Sequence, residues 1–157
     1  MDVTLVNPFI EGTLHILNTT ALVKVKPQPP FLKENTVHHG DISGLLTVEG
    51  DLEATVAISF TEKSILGIVS AMFGEEMTEI NEEITDAVGE ISNMVAGHVT
   101  TKIGELGKKV KVKFVKVVAG QGEEILHTQA GSHVICIPFR TTKGKVLLEV
   151  CYADQSS

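Results

Sequence analysis

The sequence predicts an α+β domain in which helices pack on an antiparallel sheet. Three observations carry this. Apolar, β-branched runs pair off around short turn signals at 42–60 and again at 132–152; residues 110–118 alternate strictly; and apolar residues recur at helical spacing over 9–22, 62–73 and 80–106. The order is helix, strand, hairpin, helix, helix, strand, hairpin, without the regular strand–helix alternation of a parallel sheet.

In chain order, Asn7 before Pro8 is a helix start signal, and Phe9, Ile10, Leu14, Leu17 and Leu22 are spaced to share one helical face. A strand is expected near 21–26. KPQPPF then interrupts regular structure, because proline lacks the amide donor and biases its predecessor toward extended backbone. Glu49-Gly50-Asp51 turns the first hairpin. Thr61 caps a short amphipathic helix that Gly74 ends. The long helix over 80–106 stops at Gly107 and two lysines, the polarity that complements a helix C-terminus. Gly120-Gln121-Gly122 reads as a turn. Thr141-Thr142-Lys143-Gly144 joins the second hairpin, in which Pro138 marks an edge or a bulge.

The chain of 157 residues is long enough for one domain and short for two, so residues 1–157 are read as a single domain. Apolar residues make up 43% and charged residues 21%, which predicts a packed core. A formal net charge of −7 opposes binding along a nucleic-acid backbone, which rests on lysine and arginine contacts. No basic region precedes an apolar stretch at the N-terminus and no run is long enough to span a bilayer, so the expected location is cytoplasmic, with no membrane partner. Cys136 and Cys151 lack CxxC spacing and are expected as half-buried strand thiols. The six histidines show no metal-binding spacing, and no protein-bound metal is expected. Phosphate-binding glycine loops and a recognisable nucleophile context are likewise lacking, which argues against a self-contained hydrolase.

The long helix holds the informative pattern. At 100° per residue, Ile84, Val88, Ile91, Val95 and Val99 fall within an arc of about 80° and form the core face. Asp86, Glu90, Asn93 and Gly97 lie within roughly 60° of one another, almost opposite. Gly89, Ser92 and Ala96 flank them, so the ridge is expected to be thin as well as polar. Gly89 and Gly97 each cost the helix about 1 kcal/mol relative to alanine, and close approach of another molecule to the backbone is a reason to keep them. A plain solvent-facing helix also needs polar residues, so the spacing alone admits both an ordinary surface and a site.

The pattern Asp86-x-x-x-Glu90-x-x-Asn93, on the long helix of a domain with this element order, resembles the CheC/CheX family of chemotaxis phosphatases. The resemblance covers nearly the whole chain in element order, and one complete motif is more like CheX than CheC, which typically carries two. Offset by 79 residues, Asn7, Glu11 and Leu14 stand where Asp86, Glu90 and Asn93 stand, so Leu14 occupies the place of a second amide. The proline that the family pattern carries about 22 residues after the asparagine is Val115 here.

The resemblance implies a CheC/CheX-like fold, a homodimer, and a phosphatase acting on the aspartyl phosphate of a CheY-like response regulator. It implies Glu90 and Asn93 as catalytic residues, Glu90 pairing with the lysine of the regulator's phosphorylation site. Asp86, Gly89 and Gly97 would serve binding, although Asp86 is equally an ordinary acid near a helix start. This chain would hold no cofactor, the Mg2+ of the reaction arriving with the regulator. Two other readings use the same residues: a non-catalytic module that captures a phosphorylated regulator or another chemotaxis or flagellar-switch protein, and a structural oligomerisation domain pairing through an open sheet edge.

Overall fold

The structure is a computed structural model and describes residues 6–33, 36–37, 40–119, 125–126 and 134–152. The turn expected at Gly120-Gln121-Gly122 lies outside the described residues.

Helix α1 spans Asn7–Thr20. Its N-cap is Val6, without a side-chain cap, so Asn7 is the first helical residue rather than the cap, and Pro8 sits in the first turn, where a missing amide hydrogen costs nothing. Phe9, Ile16 and Leu17 are buried, with Gly12 and Thr13 beside them. Leu22 does not join that face. The helix closes at Ala21, Leu22 turns into the left-handed region at φ 53°, and its side chain is 85% exposed.

Two short strands follow, β1 (Val25–Pro27) and β2 (Phe31–Lys33), with Gln28-Pro29-Pro30 between them, and then β3 (Thr36–Val37). The first hairpin is β4 (Ile42–Gly50) and β5 (Ala54–Phe60), turned by Gly50 at φ 118°. Helix α2 (Glu62–Phe73) begins with a reciprocal cap: the Thr61 hydroxyl accepts from the Ser64 amide at 3.1 Å, and Ser64 Oγ accepts from the Thr61 amide at 3.0 Å. Gly74, at φ 70°, ends it. Helix α3 (Glu82–Glu105) is capped by Asn81, whose Oδ1 accepts from the Ile84 amide at 3.1 Å.

The remaining strands are β6 (Val110–Ala119), β7 (Ile125–Leu126), β8 (Val134–Thr141) and β9 (Gly144–Tyr152). Thr141 Oγ1 sets the β8–β9 turn, accepting from the Lys143 and Gly144 amides at 2.9 and 3.0 Å. Among the described residues, strands β3 and β7 pair with each other alone; with two residues apiece they are too short for any periodicity to reveal.

The main sheet is antiparallel with order β1-β8-β9-β5-β4-β6, β2 also pairing with β8. Pro138 is therefore on an inner strand, not an edge, and its ladder with β9 is regular. Its neighbour on the other side is the break between β1 and β2, where its carbonyl accepts from the Gln28 amide at 2.8 Å. N–H and C=O of one strand residue point the same way, so the donor that proline lacks faces the interruption made by Pro29 and Pro30. A bulge does occur, but in edge strand β6: Leu45 and Leu46 face Lys116 and Phe114, which leaves Val115 as the extra residue.

All three helices pack on one face of the sheet. Ile42, Leu46, Val56, Ile58, Phe60, Leu148 and Val150 meet Phe9 and Leu17 of α1, Ile65 and Ile68 of α2, and the α3 stripe in one core. On the opposite face Cys136, Cys151 and Val134 form a smaller cluster with Leu45 and Leu147. Both thiols are fully buried rather than half-buried, and burial raises the Cys151 pKa.

Candidate functional site

Helix α3 seats its apolar stripe as expected: Ile84, Val88, Ile91, Val95 and Val99 are all buried. What fixes its height above the sheet is Gly44 of β4. A Cβ on Gly44 would lie 2.0 Å from Ser92 Oγ and 3.2 Å from Ser92 Cβ, so only glycine admits the helix at this distance. Ser92 Oγ turns back and donates to the Val88 carbonyl at 2.7 Å, which satisfies a buried hydroxyl within its own helix.

This seat corrects the reading of the flanking small residues. Gly89, Ser92 and Ala96 are buried, and a Cβ on Gly89 would meet the Phe114 ring of β6 at 3.4 Å. Gly89 therefore faces the sheet, where an added methyl would be in ordinary contact with the Phe114 ring. The buried arc of α3 reaches to within about 60° of Asp86 on that side. Gly97 differs, since nothing lies within 4 Å of a Cβ built there.

Asp86, Glu90, Asn93 and Gly97 are all exposed, and the three polar side chains make no hydrogen bond or ion pair among the described residues. The helix thus presents an acid and, three residues on, an amide whose carbonyl can accept and whose NH₂ can donate. An amide brings these capacities without the repulsion a carboxylate would exert on a phosphoryl group.

Beside the ridge is a depression of about 370 Å³ between the end of α2 and the first turns of α3, lined by Phe73, Glu75, Glu83, Asp86, Ala87 and Glu90. The spacing on α3 identifies Asp86 and Glu90 but not Phe73, Glu75 or Glu83. Phe73, 47% exposed, sits directly before the capping Gly74; a large aromatic left open at a helix end beside an acid run is the signal available in the sequence.

No group of three metal-ligating side chains occurs among the described residues. His15 of α1 and His98 of α3 stack with ring centroids 4.8 Å apart. The His98 pKa is lowered, first by burial and then by the charges of His15 and Lys102, with Glu11 and Glu105 acting the other way. On α1, at the positions offset by 79, Glu11 is exposed while Leu14 packs against the core. Among the described residues no helix is long and apolar enough to cross a membrane.

Comparison with known proteins agrees with this geometry. The sequence model of the chemotaxis phosphatase CheX family matches residues 42–140, which hold β4 through β8 and the α3 ridge. A Thermotoga maritima protein named CheY-P phosphatase CheX is 32% identical over 130 residues, covering 80% of this chain and 81% of that one. Among solved structures, a CheC-like superfamily protein from Shewanella sp. PV-4 superposes with a TM-score of 0.89 at 34% identity, covering 98% of this chain and 100% of that one. The chemotaxis protein CheX from Desulfovibrio desulfuricans gives 0.86 at 31% identity, covering 95% and 99%. On the family match and the Thermotoga relative together, the chain belongs to the chemotaxis phosphatase CheX family.

Proposed function

We propose that this chain is a response-regulator phosphatase that hastens loss of the aspartyl phosphate from a CheY-type partner, with Glu90 and Asn93 as its catalytic pair. The observation that carries the proposal is the exposed Asn93 amide three residues from the exposed Glu90 carboxylate on one ridge of α3. The named activity of the Thermotoga relative supports the substrate class.

An acyl phosphate in a magnesium-bearing site already hydrolyses on its own, so the helper need only place a water in line. Asn93 Oδ1 accepts a hydrogen bond from that water and turns its lone pair toward phosphorus. The water oxygen bonds to phosphorus as the P–O bond to the aspartyl carboxylate breaks; inorganic phosphate leaves and the aspartate is restored. Glu90 pairs with the lysine of the regulator's phosphorylation site and holds the inserted helix. Asp86 and Gly97 lie on the face that enters. Mg2+ comes with the regulator. Homodimerisation belongs to the same proposal, and β6 and the β1–β2 rim are the open sheet edges available for it.

A positioned amide with an ionic clamp contributes about 3–4 kcal/mol, roughly 10²- to 10³-fold. Asn93→Ala is therefore expected to keep fold and regulator binding while losing about 10²-fold in dephosphorylation rate, measured with radiolabelled regulator in excess. Equal shortening of the regulator's phosphorylated lifetime by wild type and Asn93→Ala removes the catalytic assignment. Failure of substoichiometric wild type to clear the excess leaves a capture module instead.

A further inference from the structure

The face of the sheet turned away from the helices carries a second depression, of about 360 Å³, near the β8–β9 turn. Side chains alternate across these strands: Phe60, Phe139 and Val146 enter the helix-side core, so Ser59, Pro138, Arg140, Lys145 and Leu147 share the other face. Pro138 and Leu147 are directly opposite one another, and two residues on, on the same face, Arg140 is directly opposite Lys145. Gln28, at the break between β1 and β2, closes one side.

Two cations directly opposite in an antiparallel ladder repel, and a chain with 20 acids and 13 lysines and arginines has ample acid with which to separate them. Here they stand together, and neither is in an ion pair among the described residues. Asp41, beside the lining Gly40, turns its Oδ2 to the Glu62 amide at 2.7 Å at the start of α2. The depression therefore combines an apolar floor, an adjacent hydroxyl and amide, and a positive rim on an otherwise acidic protein. Its volume suits a ligand of modest size.

We propose that this depression is a binding site for a small organic anion, a phosphate monoester or carboxylate on a compact apolar body, held by Arg140 and Lys145 with the body on Pro138 and Leu147. The site does not depend on the phosphatase reading, since it lies on the opposite face of the sheet from α3 and shares no residue with the ridge.

The test is a titration of the full chain with phenyl phosphate and, separately, inorganic phosphate, followed by amide NMR shifts. Saturable shifts centred on Arg140, Lys145 and Leu147 are expected, with tighter binding of phenyl phosphate. Arg140→Gln combined with Lys145→Gln is expected to weaken binding at least tenfold at an unchanged thermal midpoint. Asn93→Ala is expected to bind as wild type does, which separates this site from the catalytic proposal. Shifts that do not saturate, that spread equally to the lysines of β6, that persist in the double variant, or that favour inorganic phosphate would each overturn it.

Discussion

Glu90 and Asn93 lie three residues apart, and that spacing alone places them on one ridge of a helix, because the angle between side chains follows from helix geometry whatever surrounds it. Their exposure was legible for the same reason, from the apolar stripe opposite. Gly89 was not. Its angular position adjoins the ridge, and Phe114 and Val117, which β6 brings from 25 and 28 residues further along the chain, cover this flank. Angle is local information and burial is not. Glu90→Gln keeps the shape of the side chain and removes its charge. It is expected to raise the half-saturating regulator concentration about tenfold while changing the rate at saturation much less, read from a regulator titration.

Among the elements, helix ends and hairpins were readable because caps and turns are short-range chemistry: Thr61 with Ser64, Gly74, Gly50 and Thr141 with Gly144 each act within a few residues. Leu22 leaves the expected face because the helical period runs on numerically past Ala21 while the backbone has already turned. Pro138 lies on an inner strand despite its residue type because which strand is at an edge depends on pairing with β1 and β2, far off in sequence. The seat of α3 is likewise nonlocal, and it gives a sharp test. Gly44→Ala is expected to destabilise the fold by about 1–3 kcal/mol, and adding Ser92→Ala, which removes the Oγ that lies 2.0 Å from the new Cβ, is expected to recover part of that in a denaturation cycle. The α1–α3 contact responds to pH through His98. Its folded pKa lies below the ordinary 6.5, so the unfolded chain takes up the proton first and stability falls as pH drops through that region. Denaturation midpoints at about pH 7.5 and pH 5.5 should show this loss, and His98→Gln should reduce it.

Over the whole molecule, charge is divided by place. Residues 74–90 carry acids at 75, 76, 79, 82, 83, 86 and 90 and no lysine or arginine, all of them exposed around the α2–α3 corner. Lysines 108, 109, 111, 113 and 116 stand exposed along and just before β6. Formal net charge conceals this separation. If the regulator meets the acidic corner, association should slow as ionic strength rises, and Glu75→Gln with Glu83→Gln should flatten that dependence in stopped-flow mixing. The two halves of the chain are unequal in another way. Leu14 fills with hydrocarbon the place on α1 that corresponds to the carboxamide on α3, and it is drawn into the core. If Glu90 and Asn93 form the site as proposed, a single chain offers one point of engagement on these two helices, each phosphorylated client occupies a protomer outright, and any doubling of capacity has to come from a second copy rather than from the other end of the same one.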